Sequence, residues 1–258
     1  LGAFSAPIQW VTVVFMLVAG TNFALHYRFI TGRPSILLRD QEWRWYAGLF
    51  AVSVIAALLT LAAAGRVFSS DLVRDSVFNV AAVLTTTGFA TDDFAAWPAF
   101  GQVLLLGLMF VGAMGGSTGG GFKVVRAAVV FKHAVGELTK VLHPRAVVVT
   151  RLGRRTVKSD VLLNIMAFLV LYVGTHGAGS LILAALGNDL VTSVSAALAA
   201  MSSIGPGLGA VGPTAHYGDL SAPAHITLTA LMLLGRLEFY TLLVLLVPET
   251  WSRWGGGR

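Results

Sequence analysis

Val83 to Phe94 reads VLTTTGFATDDF. An apolar segment ends in three threonines, then Gly-Phe-Ala-Thr and two acids, with long hydrophobic runs on either side. Hydroxyl and carbonyl oxygens can replace the water of a dehydrated cation, and glycine lets a backbone turn its carbonyls toward an axis. A second stretch of this kind, SSIGPGLG, begins at Ser202. Ser203-Ile204-Gly205-Pro206-Gly207 takes the place of Thr86-Thr87-Gly88-Phe89-Ala90 within its own series of hydrophobic segments. Either stretch alone is also readable as an ordinary helix C-terminus, where glycine is common. The two together predict a repeated, pore-lining element.

The flanking composition sets the solvent. The chain has 258 residues, 56% hydrophobic and 12% charged, with a mean hydropathy of +0.78. Soluble domains carry about 25% charged residues, so this is the composition of a membrane protein. The net charge of +6 sits in short loops between apolar runs, which favours membrane orientation over nucleic-acid binding. The absence of cysteine excludes disulfides and thiolate metal sites in these residues. Leu1 is not an initiator methionine, and the expectation is a chain that begins within a longer protein.

Outward from the first stretch, the segment Ser69 to Thr86 is amphipathic, with a predicted N-cap at Ser70 or Asp71. It is too short and too polar at its start to cross a bilayer, which predicts a re-entrant helix. Before it lie a spanning helix over 7–25, a basic loop, and a second spanning helix over 45–64. After it comes a helix over 98–114, interrupted by GGSTGGG (Gly115 to Gly121) and resuming from 122 toward 135. A basic loop over 123–158 holds nine Lys/Arg and one acid, Glu137. The order then repeats: a helix over 161–186, a short segment from Asp189, the second filter-like stretch, and a last helix over 223–247. The fold class is therefore all-α, a polytopic membrane protein of helix–pore loop–helix repeats. Its parts are an inner helix of a preceding repeat (1–30), a cytoplasmic loop (31–45), and a pore repeat (46–135) with filter 85–91 and loop 115–121. A basic cytoplasmic loop (136–159), a second pore repeat (160–250) with filter 203–209, and a tail (251–258) complete it. Positive-inside counting places loops 26–44 and 123–158 in the cytoplasm. The acids Asp71, Asp75, Asp92, Asp93, Asp189 and Asp219 then lie outside, giving the outer mouth a negative potential. Trp43, Trp45, Trp97, Trp251 and Trp254 fit interfacial anchors.

GGSTGGG has three readings. It is a helix-breaking linker, a gate in which loose backbone below the filter blocks or lines the path, or a nucleophile elbow. Gly115-Gly116-Ser117-Thr118-Gly119 fits G-x-S-x-G, and an intramembrane serine hydrolase would take His176 as its base. A glycine- and serine-rich run satisfies that pattern cheaply. A phosphate loop is excluded because Phe122 separates the last glycine from Lys123. Arg236 stands in LMLLGRLEFYTLL, where an arginine costs about 2.5–3.5 kcal/mol to insert and should face the bundle interior with a partner. Glu238 points to another side of that helix. His176 is read as an interhelical hydrogen-bonding residue among glycines.

VLTTTGFAT, GGSTGGGFKVVR, IGPGLG and LLGRLEFYTLL, in this order, resemble the membrane subunit of bacterial Trk-type potassium uptake systems, the TrkH branch of the Trk/Ktr/HKT superfamily. The resemblance covers essentially the whole chain. It implies four helix–pore loop–helix repeats around one pore, of which these residues are the third and fourth, with the rest supplied by missing repeats or a second chain. It implies potassium as the transported ion, held by Thr86, Thr87, Gly88, Phe89, Ser203, Ile204, Gly205 and Pro206, with the metal at Thr86, Thr87, Gly88, Ile204 and Gly205. It implies a gate of Gly115, Gly116, Ser117, Thr118, Gly119, Gly120 and Gly121 with a pore-facing Arg236. No covalent cofactor, catalytic residue or enzymatic step is expected. The implied setting is the bacterial inner membrane, as a multi-pass homodimer working with a cytosolic nucleotide-binding regulatory ring of TrkA type. Two positions depart from the pattern: Ser203 where the family usually has asparagine, and Ala90 where channel filters have a second glycine. A non-conducting membrane scaffold is the remaining alternative.

Overall fold

Asp40, Ser69 and Asp189 each start a helix in the same way, with a side-chain oxygen accepting from the backbone N–H three residues on (Trp43, Leu72 and Thr192). These caps frame the architecture. The computed structural model describes residues 1–32, 35–143, 145–146, 149–153 and 155–237.

The expected first span is broken. Helix α1 (Ala6–Ala19) stops, and the chain turns by 102° into α2 (Phe23–Ile30). A side chain at Gly20 would lie 2.6 Å from the Tyr46 hydroxyl and 2.9 Å from the Thr85 methyl, so the corner is packed as tightly as glycine allows. Asn22 caps α2 by accepting from the Ala24 N–H at 2.8 Å. The short α3 (Ser35–Arg39) leads to α4 (Gln41–Ala63), and α5 (Ser70–Leu84) follows, capped by Ser69 rather than by the expected Ser70 or Asp71. Helix α6 (Ala99–Val111) and helix α7 (Val124–Leu142) flank the glycine-rich run. α7 continues past the expected Val135, so part of the predicted basic loop is helical. β1 (Arg151–Leu152) and β2 (Arg155–Thr156) then form a small antiparallel hairpin. α8 (Ser159–Ala185), α9 (Leu190–Met201) and α10 (Ala222–Arg236) complete the described order. The expected run of the last helix to Val247, with Glu238, and the tail with Trp251 and Trp254 lie outside the described residues.

Helices α4 and α8 are long and apolar enough to cross a membrane, and the bent pair α1–α2 passes the same test as one broken span. At about 1.5 Å per residue, α5 and α9 reach only about 22 Å and about 18 Å, short of a bilayer core of about 30 Å. They are nonetheless the most enclosed segments, with residues 78–84 of α5 and 195–201 of α9 all buried. The packing explains this and repeats. Helix α5 sits among α4, α6 and α1, and α9 sits among α8, α10 and α6. Each short helix is thus wrapped by the long helix before it, the helix after it and one earlier helix, α1 for α5 and α6 for α9.

Polar atoms inside this packing are spoken for. The fully buried Ser202 donates to the Met109 carbonyl at 2.6 Å and pairs with the Tyr172 hydroxyl at 2.9 Å, which ties α9 to α6 and α8. Trp97, expected at an interface, is only 4% exposed, and its indole N–H donates to Asp92 at 2.9 Å.

Close helix approach gives the first prediction. A Cβ on Gly235 would lie 1.8 Å from the Met201 carbonyl, whereas one on Gly107 meets nothing within 4 Å. Gly235→Ala should destabilise the packing of α10 on α9 by about 1–3 kcal/mol or more. Gly107→Ala should leave stability unchanged or slightly raised. Thermal unfolding of the detergent-solubilised full-length protein checks the pair, and equal midpoints would contradict the packing described.

Candidate functional site

The two short helices end in the same backbone path, residue for residue. Thr85 and Ser202 are the C-caps, and their hydroxyls turn inward, Thr85 donating to the Ala81 carbonyl at 2.7 Å. Thr86 and Ser203 follow with φ of 56° and 54°, an uncommon conformation for non-glycine residues and more so for a β-branched one. The N–H groups of Thr87 and Ile204 reach back to the Ala82 and Ala199 carbonyls at 2.8 and 2.9 Å. Gly88 and Gly205 come next with φ of 76° and 109°, in the region that favours glycine.

The two turns meet. A Cβ built on Gly88 would lie 1.8 Å from the Ile204 carbonyl oxygen and 3.1 Å from Pro206, so the Gly88 backbone rests directly against the second turn. Gly88, Ile204 and Pro206 are therefore brought together. Thr86, Thr87 and Ser203 lie half-buried beside them, while the Phe89 side chain is 47% exposed. Gly205 differs from Gly88 in two respects. Nothing lies within 4 Å of its missing Cβ, and its carbonyl accepts from the Tyr217 hydroxyl at 2.5 Å. Burial pushes the Tyr217 hydroxyl up to about 12, so it stays protonated and remains a donor at neutral pH. Phe94, which starts the 3-10 turn ahead of α6 as Tyr217 starts the one ahead of α10, has no hydroxyl. Tyr217 is a site residue that spacing from the filter motif does not reveal.

The glycine-rich run forms a closed loop between α6 and α7. Its neck is fastened by Phe122 N–H to Phe110, Lys123 N–H to Val111 and Val124 N–H to Ala113, at 2.7 to 3.0 Å. From there it passes under the ends of both short helices. The Gly120 N–H donates to Thr86 Oγ1 at 2.9 Å, and a Cβ on Gly120 would lie 2.2 Å from the Ser202 carbonyl. On its other side the loop supplies donors to the broken end of α1. Met114 N–H reaches the Gly20 carbonyl at 3.1 Å, and the Thr118 N–H and hydroxyl both reach the Ala19 carbonyl. Gly116 accepts from Phe23 N–H, and Arg236 donates to the Thr118 carbonyl at 2.8 Å. Arg236, expected to face the bundle interior with a partner, takes the loop carbonyl as its partner and is exposed among the described residues.

Two further expectations change. The outer aspartates are largely committed. Asp92 and Asp75 are paired with Arg66 at 2.5 and 3.5 Å, Asp71 with Arg74 at 2.9 Å, and Asp93 accepts from Thr214 and from Ala95 N–H. Thr192 hydrogen bonds hold the Asp189 carboxyl below its usual range, as suits a helix cap. Arg66 and Arg74 thus cut the negative potential expected there. The hydrolase pair is not assembled either. The Ser117 hydroxyl donates to the Met114 carbonyl at 2.6 Å, and His176 pairs with the Val194 carbonyl at 3.1 Å.

Paired, non-spanning helices with matched strained turns, enclosed by longer apolar helices, define a helical membrane protein of the pore-loop class. Residues 1–253 match the family model described as "TrkH: Cation transport protein", and the chain belongs to that family. It is 36% identical to the Trk system potassium uptake protein TrkH of Escherichia coli (strain K12), over 97% of this chain and 52% of the relative. To the Trk system potassium uptake protein TrkI of Halomonas elongata it is 35% identical, over 98% and 52%. The crystal structure of the potassium transporter TrkH from Vibrio parahaemolyticus superposes with a TM-score of 0.90 at 36% identity, covering 97% of this chain and 54% of that one. The chain thus spans about half the length of the relatives it matches. The family is one of transport proteins, not enzymes.

The engaged Ser117 hydroxyl sets a chemical expectation. A fluorophosphonate probe should leave Ser117 unlabelled in the folded protein. Labelling that disappears in Ser117→Ala, read by peptide mass spectrometry, would restore the nucleophile.

Proposed function

We propose that the chain supplies two repeats of a four-repeat pore that takes up potassium across the bacterial inner membrane. The observation that carries this reading is the contact of Gly88 with the Ile204 carbonyl at the ends of two enclosed, non-spanning helices. Apposed turns of this kind aim carbonyls and hydroxyls at a shared axis, and the names of the relatives supply the ion. In this reading Thr86, Thr87, Gly88 and Phe89 face Ser203, Ile204, Gly205 and Pro206 along the path, with potassium held at Thr86, Thr87, Gly88, Ile204 and Gly205. The loop from Gly115 to Gly121 is the gate. Arg236, bonded to it, is a positive charge that raises the barrier to a cation until the loop and the charge move.

The remaining two repeats come from the rest of a longer protein or from a second chain. The repeat boundaries at 46–135 and 160–250 follow from the same reading, as do the multi-pass topology and a homodimer with one pore per protomer. The basic 123–158 segment is where a cytosolic nucleotide-binding ring would dock, through acidic surface complementary to its Lys and Arg side chains.

Rubidium uptake into liposomes containing the full-length protein tests the assignment. Gly88→Ala, which drives a methyl into the Ile204 carbonyl, should cut uptake about tenfold or more, the effect of about 1.4 kcal/mol on the rate-limiting barrier. Tyr217→Phe, which frees the Gly205 carbonyl, should alter the ratio of rubidium to sodium uptake while leaving the protein folded. Arg236→Ala should raise uptake. Uptake indifferent to both Gly88→Ala and Gly205→Ala would remove the filter from these residues.

A further inference from the structure

The glycine-rich loop is fastened at a point that neither the sequence motif nor the ion path identifies. Glu42, in the first turn of α4, accepts from the Gly115 N–H at 2.6 Å, and its carboxylate lies beside the Val125 N–H. Gly115 opens the loop, and Val125 lies in the first turn of α7, just past its neck. One carboxylate from a third helix therefore holds the first residue of the loop and stands beside the start of α7. Asn22 holds the same residue from the opposite side, donating Nδ2 to the Gly115 carbonyl at 2.7 Å.

Helix α7 explains why a carboxylate stands there. Lys123, at its N-cap position, has no side-chain oxygen with which to cap it, and no acid lies in its first turn. Glu42 supplies the missing negative charge from outside, at the positive end of the helix. Charge-assisted bonds to backbone N–H groups are about twice as strong as neutral ones. A loop of glycines has little side-chain packing of its own to hold it in place, so such a bond weighs heavily there.

We infer that Glu42 is the latch of this loop: the glycine run stays beneath the two helix ends while the carboxylate grips Gly115 beside the start of α7, and leaves when that grip is broken. Glu42 touches no ion and is a positioning residue. The inference rests on reading the loop as a gate, and the test separates the two.

Hydrogen–deuterium exchange and rubidium uptake are measured on the full-length protein in liposomes. Glu42→Ala should speed exchange of the amides in 112–125 about tenfold, with exchange in α5 and α9 unchanged, and should raise uptake severalfold. Glu42→Gln keeps one acceptor oxygen and should fall between wild type and Glu42→Ala. Asn22→Asp keeps the cap on Ala24 while removing the donor to Gly115, and should loosen the loop in the same direction. It also serves if Glu42→Ala does not fold. Faster loop exchange with unchanged uptake would keep the latch and remove the gate. Unchanged exchange over 112–125 in the Glu42 and Asn22 variants overturns the latch.

Discussion

Backbone groups at the ends of interrupted helices have no water to turn to inside a membrane, and this constraint organises the whole molecule. Helices α1, α5, α6 and α9 all stop inside the protein, and each stop strands carbonyls or N–H groups. The chain brings these ends to one place and lets them satisfy each other. The Ala19 and Gly20 carbonyls take Thr118 and Met114, the neck of the loop zips 110–113 to 122–124, and Thr86 receives Gly120. Among the described residues, no buried side-chain nitrogen or oxygen lacks a partner. The glycine-rich loop is therefore structural first, bonded to the broken ends of α1, α5 and α6 and packed against that of α9. Any motion of it must find new partners for those groups.

The two copies solve one problem with different chemistry. In the first, Thr85 and Thr87 share a hydroxyl contact at 2.8 Å behind the turn, and Asn79 reaches Thr91. In the second, Ser202 ties to Tyr172 and Met109, and Ser195 accepts from the Leu208 N–H at 2.8 Å. The backbone path is conserved between the copies while its supports are not. The turn is thus what both copies keep, and the supports are whatever the local helices offer.

The helical class, the short buried segments and the paired turns were legible because hydrophobic run length and the spacing of Thr, Ser and Gly report local physics directly. The interruption at Gly115 to Gly121 was legible for the same reason. The break of α1 at Gly20 was not, since Val-Ala-Gly-Thr-Asn-Phe continues an apolar pattern, and only the packing of Tyr46 and Thr85 against Gly20 decides it. Glu42 and Tyr217 were equally hidden. Glu42 acts across 73 residues of chain and Tyr217 across 12, and nothing adjacent marks an acid at a helix start or a tyrosine in a polar loop as touching the glycine loop or the second turn. The arginines at 66 and 74 were passed over because charge counting weighed signs by loop and not by pair.

The contact between Gly88 and Ile204 joins different faces of two equivalent units, since Gly88 leans on the second turn while Gly205 leans on nothing. Such a heterologous contact has a direction of rotation, and units added in the same sense complete it only by closing a ring. In a ring closed by such contacts each junction would rest on one glycine that faces its neighbour, and a change at a single glycine would open one seam and leave the others intact.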